Sequence, residues 1–171
     1  KRLEISVLPP DVNVSFEDFT VDASVERSIR FGLLAIKNIG VNIVKEIIDE
    51  RRRGGPYQDL ADFLSRIHHR DMNKKSLESL VKAGALDSFG HKRRSQLIGN
   101  LDEMIHFNQA VKKMAGSTQG GLFGNSVPLS SLQFKEVPDI GTRQILDWEK
   151  ELLGLYLTDH PFNPYKEHEK V

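Results

Sequence analysis

The sequence contains no cysteine among its 171 residues, so a disulfide framework and a thiolate metal site are excluded. It also has no apolar run long enough to span a bilayer, and its first residues do not resemble a signal peptide. We therefore expect a cytoplasmic protein with no membrane partner. The histidine pairs His68–His69 and His160–His168 lack the spacing of metal ligands on a helix, so we expect no metal site.

Catalytic motifs are absent as well. The chain has no nucleophile elbow, no phosphate-cradling Walker loop and no Asp-x-Asp pair that would hold two metals. We therefore predict no catalytic residue in this chain and interpret it as a binding segment.

The formal net charge is +0, but the charges are unevenly distributed along the chain. Residues 68–94 are basic, while the region from Lys135 onward is rich in Asp and Glu. Residues 51–53 are three consecutive arginines at a predicted helix end. There, contact with phosphate and a solvated helix end that favours basic residues are equally good explanations.

The hydrophobic pattern predicts a mainly α fold with a small β portion at the N-terminus. Ile5, Val7, Phe19, Val21 and Ile29 lie in short β-type segments, with a polar hairpin turn over residues 22–27. This sheet is too small to stand alone, so we expect it to belong to a neighbouring domain.

Helices are predicted over residues 41–53, from Asp59 to Ile67, from Asn73 towards Gly84, over residues 93–111 and over residues 142–153. Asp59, Asn73 and Thr142 are the predicted N-caps.

Residues 34–48 predict an apolar helix end, a tight turn and a second helix that starts at Gly40. Glycine permits positive φ and the close approach of another chain, and Asn38 also tolerates the left-handed region. The unpaired N–H groups and the dipole at such a helix start form an anion site, to which Lys37 adds charge. This pattern resembles the helix-hairpin-helix motif, which binds DNA backbones. A second, looser match surrounds Gly84 and Ala85, with Asp87 nearby.

Residues 116–134 read as a flexible linker. Within this linker, Gln119, Leu122 and Phe123 form a short motif with two adjacent apolar side chains. Such a motif fits docking into a partner's pocket. Packing of the same side chains onto the chain's own helices is the alternative.

Four motifs in order extend the resemblance to the whole chain: residues 7–13 (VLPPDVN), 31–40, 82–87 (KAGALD) and 153–161 (LGLYLTDHP). Together they resemble the alpha subunits of bacterial DNA polymerase III, a family of replicative polymerases. The resemblance implies four regions: the end of the fingers (1–32), a tandem helix-hairpin-helix bundle (33–115), a linker with a clamp-binding motif (116–134) and a lead into an OB-fold domain (135–171).

The resemblance implies three partners: duplex DNA, the β sliding clamp and other subunits of the polymerase III holoenzyme. It places the catalytic aspartates and their Mg²⁺ in a palm domain upstream of this chain. The residues expected to contact DNA are Lys37, Asn38, Ile39, Gly40, Val41, Lys74, Lys75, Gly84, Ala85, Lys92, Arg93 and Arg94. Gln119, Leu122 and Phe123 are expected to bind the clamp, although Gly120 and Gly121 depart from the bulkier or polar residues common there.

Three other interpretations remain at this stage. The chain could be a helix-hairpin-helix adaptor of a repair or recombination protein, or part of a DNA glycosylase or ligase. It could also be a purely structural helical bundle, which predicts a buried Gly40.

Overall fold

The computed structural model describes residues 5–90, 93–116 and 132–158. The strands in these ranges are β1 (Ser6–Leu8), β2 (Thr20–Val21) and β3 (Ser28–Arg30). The helices are α1 (Val41–Gly54), α2 (Leu60–Arg66), α3 (Lys74–Lys82), α4 (Arg94–Gly99), α5 (Leu101–Gly116) and α6 (Thr142–Leu153). The predicted mainly α fold with a small N-terminal β portion is confirmed.

The small sheet has β3 at its centre, parallel to β1 and antiparallel to β2. The polar turn predicted over residues 22–27 connects β2 to β3. Asp22 organises this turn, because its carboxylate accepts hydrogen bonds from the Ser24 N–H at 2.9 Å and from Arg30 Nη2 at 2.6 Å. The turn is therefore held by side-chain bonds as well as by strand pairing.

The apolar core joins the helices to both flanking regions. Val12 and Phe31 from the N-terminal region and Leu152 and Leu153 from α6 are buried in the same cluster as α1, α2 and α3. The Val12 N–H donates to the Ala85 carbonyl at 3.0 Å, and Arg51 Nη1 donates to the Val12 carbonyl at 2.7 Å. The N-terminal segment thus packs directly into the helical core.

Two predicted helix caps are confirmed. The Asp59 side chain accepts the Asp62 N–H, and the Asn73 side chain accepts the N–H groups of Lys75 and Ser76. These carboxylate and amide oxygens satisfy backbone donors that a helix start leaves unpaired. The predicted stop after α1 is also confirmed, since the helix ends at Gly54.

The prediction of a single helix over residues 93–111 is wrong, because the helix is interrupted at Asn100, between α4 and α5. The Asn100 side chain donates to the Gln96 and Lys135 carbonyls and accepts the Lys135 N–H at 2.7 Å. A Cβ on the preceding Gly99 would lie 2.4 Å from the Val137 side chain. The segment around residues 135–137 therefore packs where a continuous helix would run. Because this segment is distant in the sequence, local periodicity does not predict the contact.

The predicted cap at Thr142 is also wrong. Gly141 is the N-cap of α6, with φ −70° and ψ 159°, and it makes no side-chain capping bond. Thr142 is instead the first helical residue.

Candidate nucleic-acid interface

The first turn differs from the prediction in its backbone. Asn38 takes the left-handed conformation, with φ 66°, whereas Gly40 has φ −84° and ψ 155°. The expectation that Gly40 uses positive φ is therefore wrong, because Asn38 already supplies the reversal. The segment before the turn is a short 3-10 helix, Leu33–Ala35, and α1 begins directly after Gly40.

The start of α1 is an exposed and uncapped helix N-terminus. Gly40 offers no side chain to accept the first N–H groups, and the first turn contains no acidic residue. Gly40 and Asn42 are exposed, and Val41 is 47% exposed. A Cβ built on Gly40 would meet no atom within 4 Å. The donors and the positive end of the helix dipole therefore face open space, and the buried Gly40 predicted by a purely structural bundle is not found.

The rest of the turn is held by internal bonds. The Lys37 N–H donates to the Leu152 carbonyl at the end of α6 at 3.1 Å. The Ile39 N–H donates to the Ile36 carbonyl at 3.3 Å, and the Ile39 side chain packs into the core. Asn38 Nδ2 donates to Ser79 Oγ on α3 at 3.4 Å. Ile39, predicted as a DNA contact, thus supports the turn from inside, while the Lys37 side chain stays exposed.

Two neighbouring lysines on α3 have different surroundings. Lys75 is exposed and lies one helical turn before Ser79, the residue that Asn38 contacts. Lys75 therefore lies on the side of α3 nearest the first turn. Lys74 Nζ instead donates to Asp102 on α5 at 2.7 Å, and this bond lowers the pKa of the Asp102 carboxyl.

The second turn does not offer free donors in the way we predicted. Gly84 does take positive φ, at 81°, but Gly84 and Ala85 are both buried. Their N–H groups donate to the Val81 and Leu80 carbonyls at 3.0 and 2.9 Å. Neither residue has an N–H available for a phosphate in this conformation.

Arg94 covers this second turn. Its guanidinium lies so close to Gly84 that a Cβ there would be 2.3 Å from Nη2. The same group donates to Asp87, to the Lys82 carbonyl and to Glu149 Oε1 on α6, the last at 3.1 Å. The Arg94 side chain is only 9% exposed and all three of its guanidinium nitrogens donate within the protein, so it is not positioned to contact DNA.

Glu149 is fully buried among hydrogen-bond donors. Burial opposes its ionisation, but bonds from Thr158, Leu157 and Arg94 outweigh that effect and lower its pKa. Its carboxylate accepts the Leu157 and Thr158 N–H groups at 2.7 and 2.9 Å. The chain that leaves α6 is therefore attached to the same ion pair as the second turn.

Arg93 is a further predicted cation that has an acidic partner. Arg93 Nη1 donates to Asp139 at 2.6 Å, and this bond lowers the pKa of that carboxyl. Lys92 lies outside the described residues. In the triple-arginine run, Arg51 binds the Val12 carbonyl, while Arg52 and Arg53 pair with Asp49 and Glu50.

Gln119, Leu122 and Phe123, the predicted clamp-binding residues, lie outside the described residues. Within the described ranges, no group of three or more His, Asp or Glu residues could hold a metal ion. No helix in those ranges is both long and apolar enough to cross a bilayer.

Asn42 was not among the residues predicted to contact DNA, although it is exposed and lies in the same uncapped first turn of α1. The signal was available, because a helix that starts at Gly40 leaves the donors of its whole first turn unpaired.

Comparison with known proteins identifies a family and several relatives. A family described as "Helix-hairpin-helix motif" matches residues 4–96, which include both turns. DNA polymerase III subunit alpha of Thermus aquaticus is 41% identical over 96% of this chain and 13% of its own length. The subunit of the same name from Borreliella burgdorferi is 39% identical over 97% of this chain and 14% of its own length. The subunit of the same name from Helicobacter pylori is 38% identical over 98% of this chain and 15% of its own length.

The chain thus spans about one-seventh of the length of these relatives. It belongs to the helix-hairpin-helix family and is similar, over nearly all of its length, to a segment of bacterial DNA polymerase III alpha subunits.

Proposed function

We propose that this chain is part of a cytoplasmic replicative DNA polymerase, in which it binds the sugar-phosphate backbone of duplex DNA through its first hairpin. The observation that carries the proposal is the exposed, uncapped N-terminus of α1, with a glycine N-cap open to solvent. Backbone donors at a helix start bind phosphate without reading bases. The polymerase activity, with its Mg²⁺, belongs to the parent protein.

The proposed contact surface is smaller than the set of residues predicted from the sequence. It comprises the N–H groups around Gly40, Val41 and Asn42, together with the side chains of Lys37, Asn38 and Lys75. Gly84, Ala85 and Arg94 are left out because they are buried or bonded internally. Lys74 and Arg93 are left out because each pairs with a carboxylate.

The relatives favour a polymerase over the other DNA-binding alternatives. Those compared above are all named DNA polymerase III subunit alpha, and they align with nearly the whole chain. Other subunits of the polymerase III holoenzyme are therefore the partners that we expect for the parent protein.

The Gly40→Val variant tests the DNA contact. Gly40 has extended φ and ψ and open space around its Cβ position, so valine fits the fold and obstructs only an approaching phosphate. We expect duplex affinity to fall about tenfold, the loss of about one charge-assisted hydrogen bond. Fluorescence anisotropy measures the affinity, and far-ultraviolet circular dichroism checks the fold.

Gly141→Val is the matched control. Gly141 is also an exposed glycine N-cap with extended geometry and no atom within 4 Å of a built Cβ, but it starts α6. The Gly141→Val variant should leave duplex affinity unchanged. Equal losses in the two variants would contradict the assignment of the site to α1.

We further propose that Gln119, Leu122 and Phe123 bind the β sliding clamp. The support is the sequence motif and its place after the hairpin region, where the resemblance puts a clamp-binding segment. The clamp encircles the same DNA that the hairpin contacts, so binding at one site raises the effective concentration at the other. Two weak contacts together therefore keep the enzyme on DNA.

A double variant tests clamp binding. Leu122→Ala with Phe123→Ala removes both apolar side chains of the motif, so we expect clamp binding to be lost in surface plasmon resonance while duplex affinity is kept. Asn125→Ala with Ser126→Ala, in the same segment, is the control and should bind normally. Clamp binding that survives the first double variant would refute the motif assignment.

A further inference from the structure

The C-terminal helix α6 contacts both hairpin turns. Near its middle, Glu149 accepts Arg94 Nη1 at 3.1 Å, and Arg94 covers the second turn. One helical turn later, the Leu152 carbonyl accepts the Lys37 N–H of the first turn at 3.1 Å. A single rigid helix therefore links the buried ion pair to the exposed turn that we assign to DNA binding.

The apolar contacts of α6 determine which of its faces is buried, and hydrophobic burial is non-directional. Trp148, Leu152 and Leu153 are buried, and Lys82 lies over the Trp148 ring at 5.4 Å. Glu149 accepts one hydrogen bond from Arg94 on α4, which ties α6 to the bundle, and three from the segment that follows α6. Its Oε1 accepts Arg94 and the Thr158 hydroxyl, and its Oε2 accepts the N–H groups of Leu157 and Thr158.

We propose that Glu149 is a positioning residue for DNA binding, which fixes α6 along its axis and thereby holds the Lys37 turn in the geometry that receives phosphate. This inference rests on the proposed function of the first hairpin. Arg94 is the partner through which the second turn contributes, so the second turn supports the first and does not bind DNA itself.

The Glu149→Gln variant of the whole chain tests the proposal. Glutamine keeps the size of the side chain but replaces one acceptor oxygen by a donor, which then faces donors from Arg94 or from Leu157 and Thr158. We expect duplex affinity to fall about fivefold, within the range for residues that act on a site through others. The Lys37 amide should also exchange with solvent faster, as measured by NMR.

The direction of the affinity change distinguishes a positioning role of Glu149 from a purely electrostatic effect of its charge. Removing a negative charge strengthens binding to DNA if long-range electrostatics alone operates, so weaker binding by the Gln variant requires a change in geometry. Glu151→Gln is the matched control, since Glu151 is an exposed glutamate on the same helix. It should bind as tightly as the original chain or slightly more tightly, with unchanged exchange at Lys37.

Equal duplex affinities of the two folded variants would overturn the proposal. If Glu149→Gln does not fold at low temperature, Glu149→Asp replaces it, because this variant keeps the charge and withdraws the carboxylate by one methylene. If the original chain binds no duplex at all, the proposed function fails separately. The exchange rate of the Lys37 amide then decides whether Glu149 positions the turn.

Discussion

At the scale of single residues, Asn38 and Gly40 contribute differently to the conformation of the first turn. Asn38 takes positive φ and bonds to Ser79, while Gly40 stays extended and leaves the helix start open. Backbone reversal therefore does not require glycine at this position, and under the proposed function glycine keeps the backbone at the start of α1 accessible.

Asp22 is the residue with the clearest pH signature. Its carboxylate is bonded by the Ser24 hydroxyl and N–H and by Arg30, and these bonds lower its pKa from 3.8 to about 2. A lowered pKa in the folded state stabilises the fold above the ordinary pKa, and this stabilisation is lost as the pH falls from 3.8 towards 2. We therefore expect Asp22→Asn to reduce the drop in stability across that interval.

Urea unfolding at a series of pH values between 5 and 2 measures this effect. The exposed Asp18, changed to Asn, is the control and should leave the pH dependence of the free energy of unfolding nearly intact. Parallel curves for the original chain and Asp22→Asn would show that the turn contributes no pH-dependent stability.

At the scale of secondary-structure elements, local signals predicted the starts and stops of several helices. Asp59 and Asn73 cap α2 and α3 as their sequences indicate, and α1 ends at its glycine pair. These features depend on neighbours within a few positions, which the sequence displays directly. The same locality explains the prediction of the β2–β3 turn.

Long-range contacts explain what local patterns missed. The helix break at Asn100 depends on its bonds with Lys135. The second turn is covered by the Arg94 guanidinium, and its Ala85 carbonyl accepts the Val12 N–H. The sequence around Gly84 has the small residues of a hairpin, but the N–H groups of Gly84 and Ala85 are bonded to the Val81 and Leu80 carbonyls just before the turn. The prediction of free donors at the second turn is therefore wrong, while DNA contact at the first turn stays a prediction.

At the scale of the whole molecule, acidic residues between Lys135 and Thr158 pair with basic residues from the middle of the chain. Asp139 pairs with Arg93 and Glu149 pairs with Arg94, so charges that are separate in sequence cancel in space. The positive charge next to the open helix start is then supplied by Lys37 and Lys75. A chain with zero formal net charge therefore still has positive charge beside an exposed helix start.

The most direct test of this site is the salt dependence of duplex binding by the original chain, Lys37→Gln and Arg93→Gln. We predict sequence-independent binding with a log–log slope of roughly −2 to −3, as two or three phosphate contacts give. Lys37→Gln should reduce the slope by about one, and Arg93→Gln, with the same change in charge, should leave it unchanged. Absence of binding at low salt, or equal effects of the two variants, would contradict a phosphate site at the first hairpin.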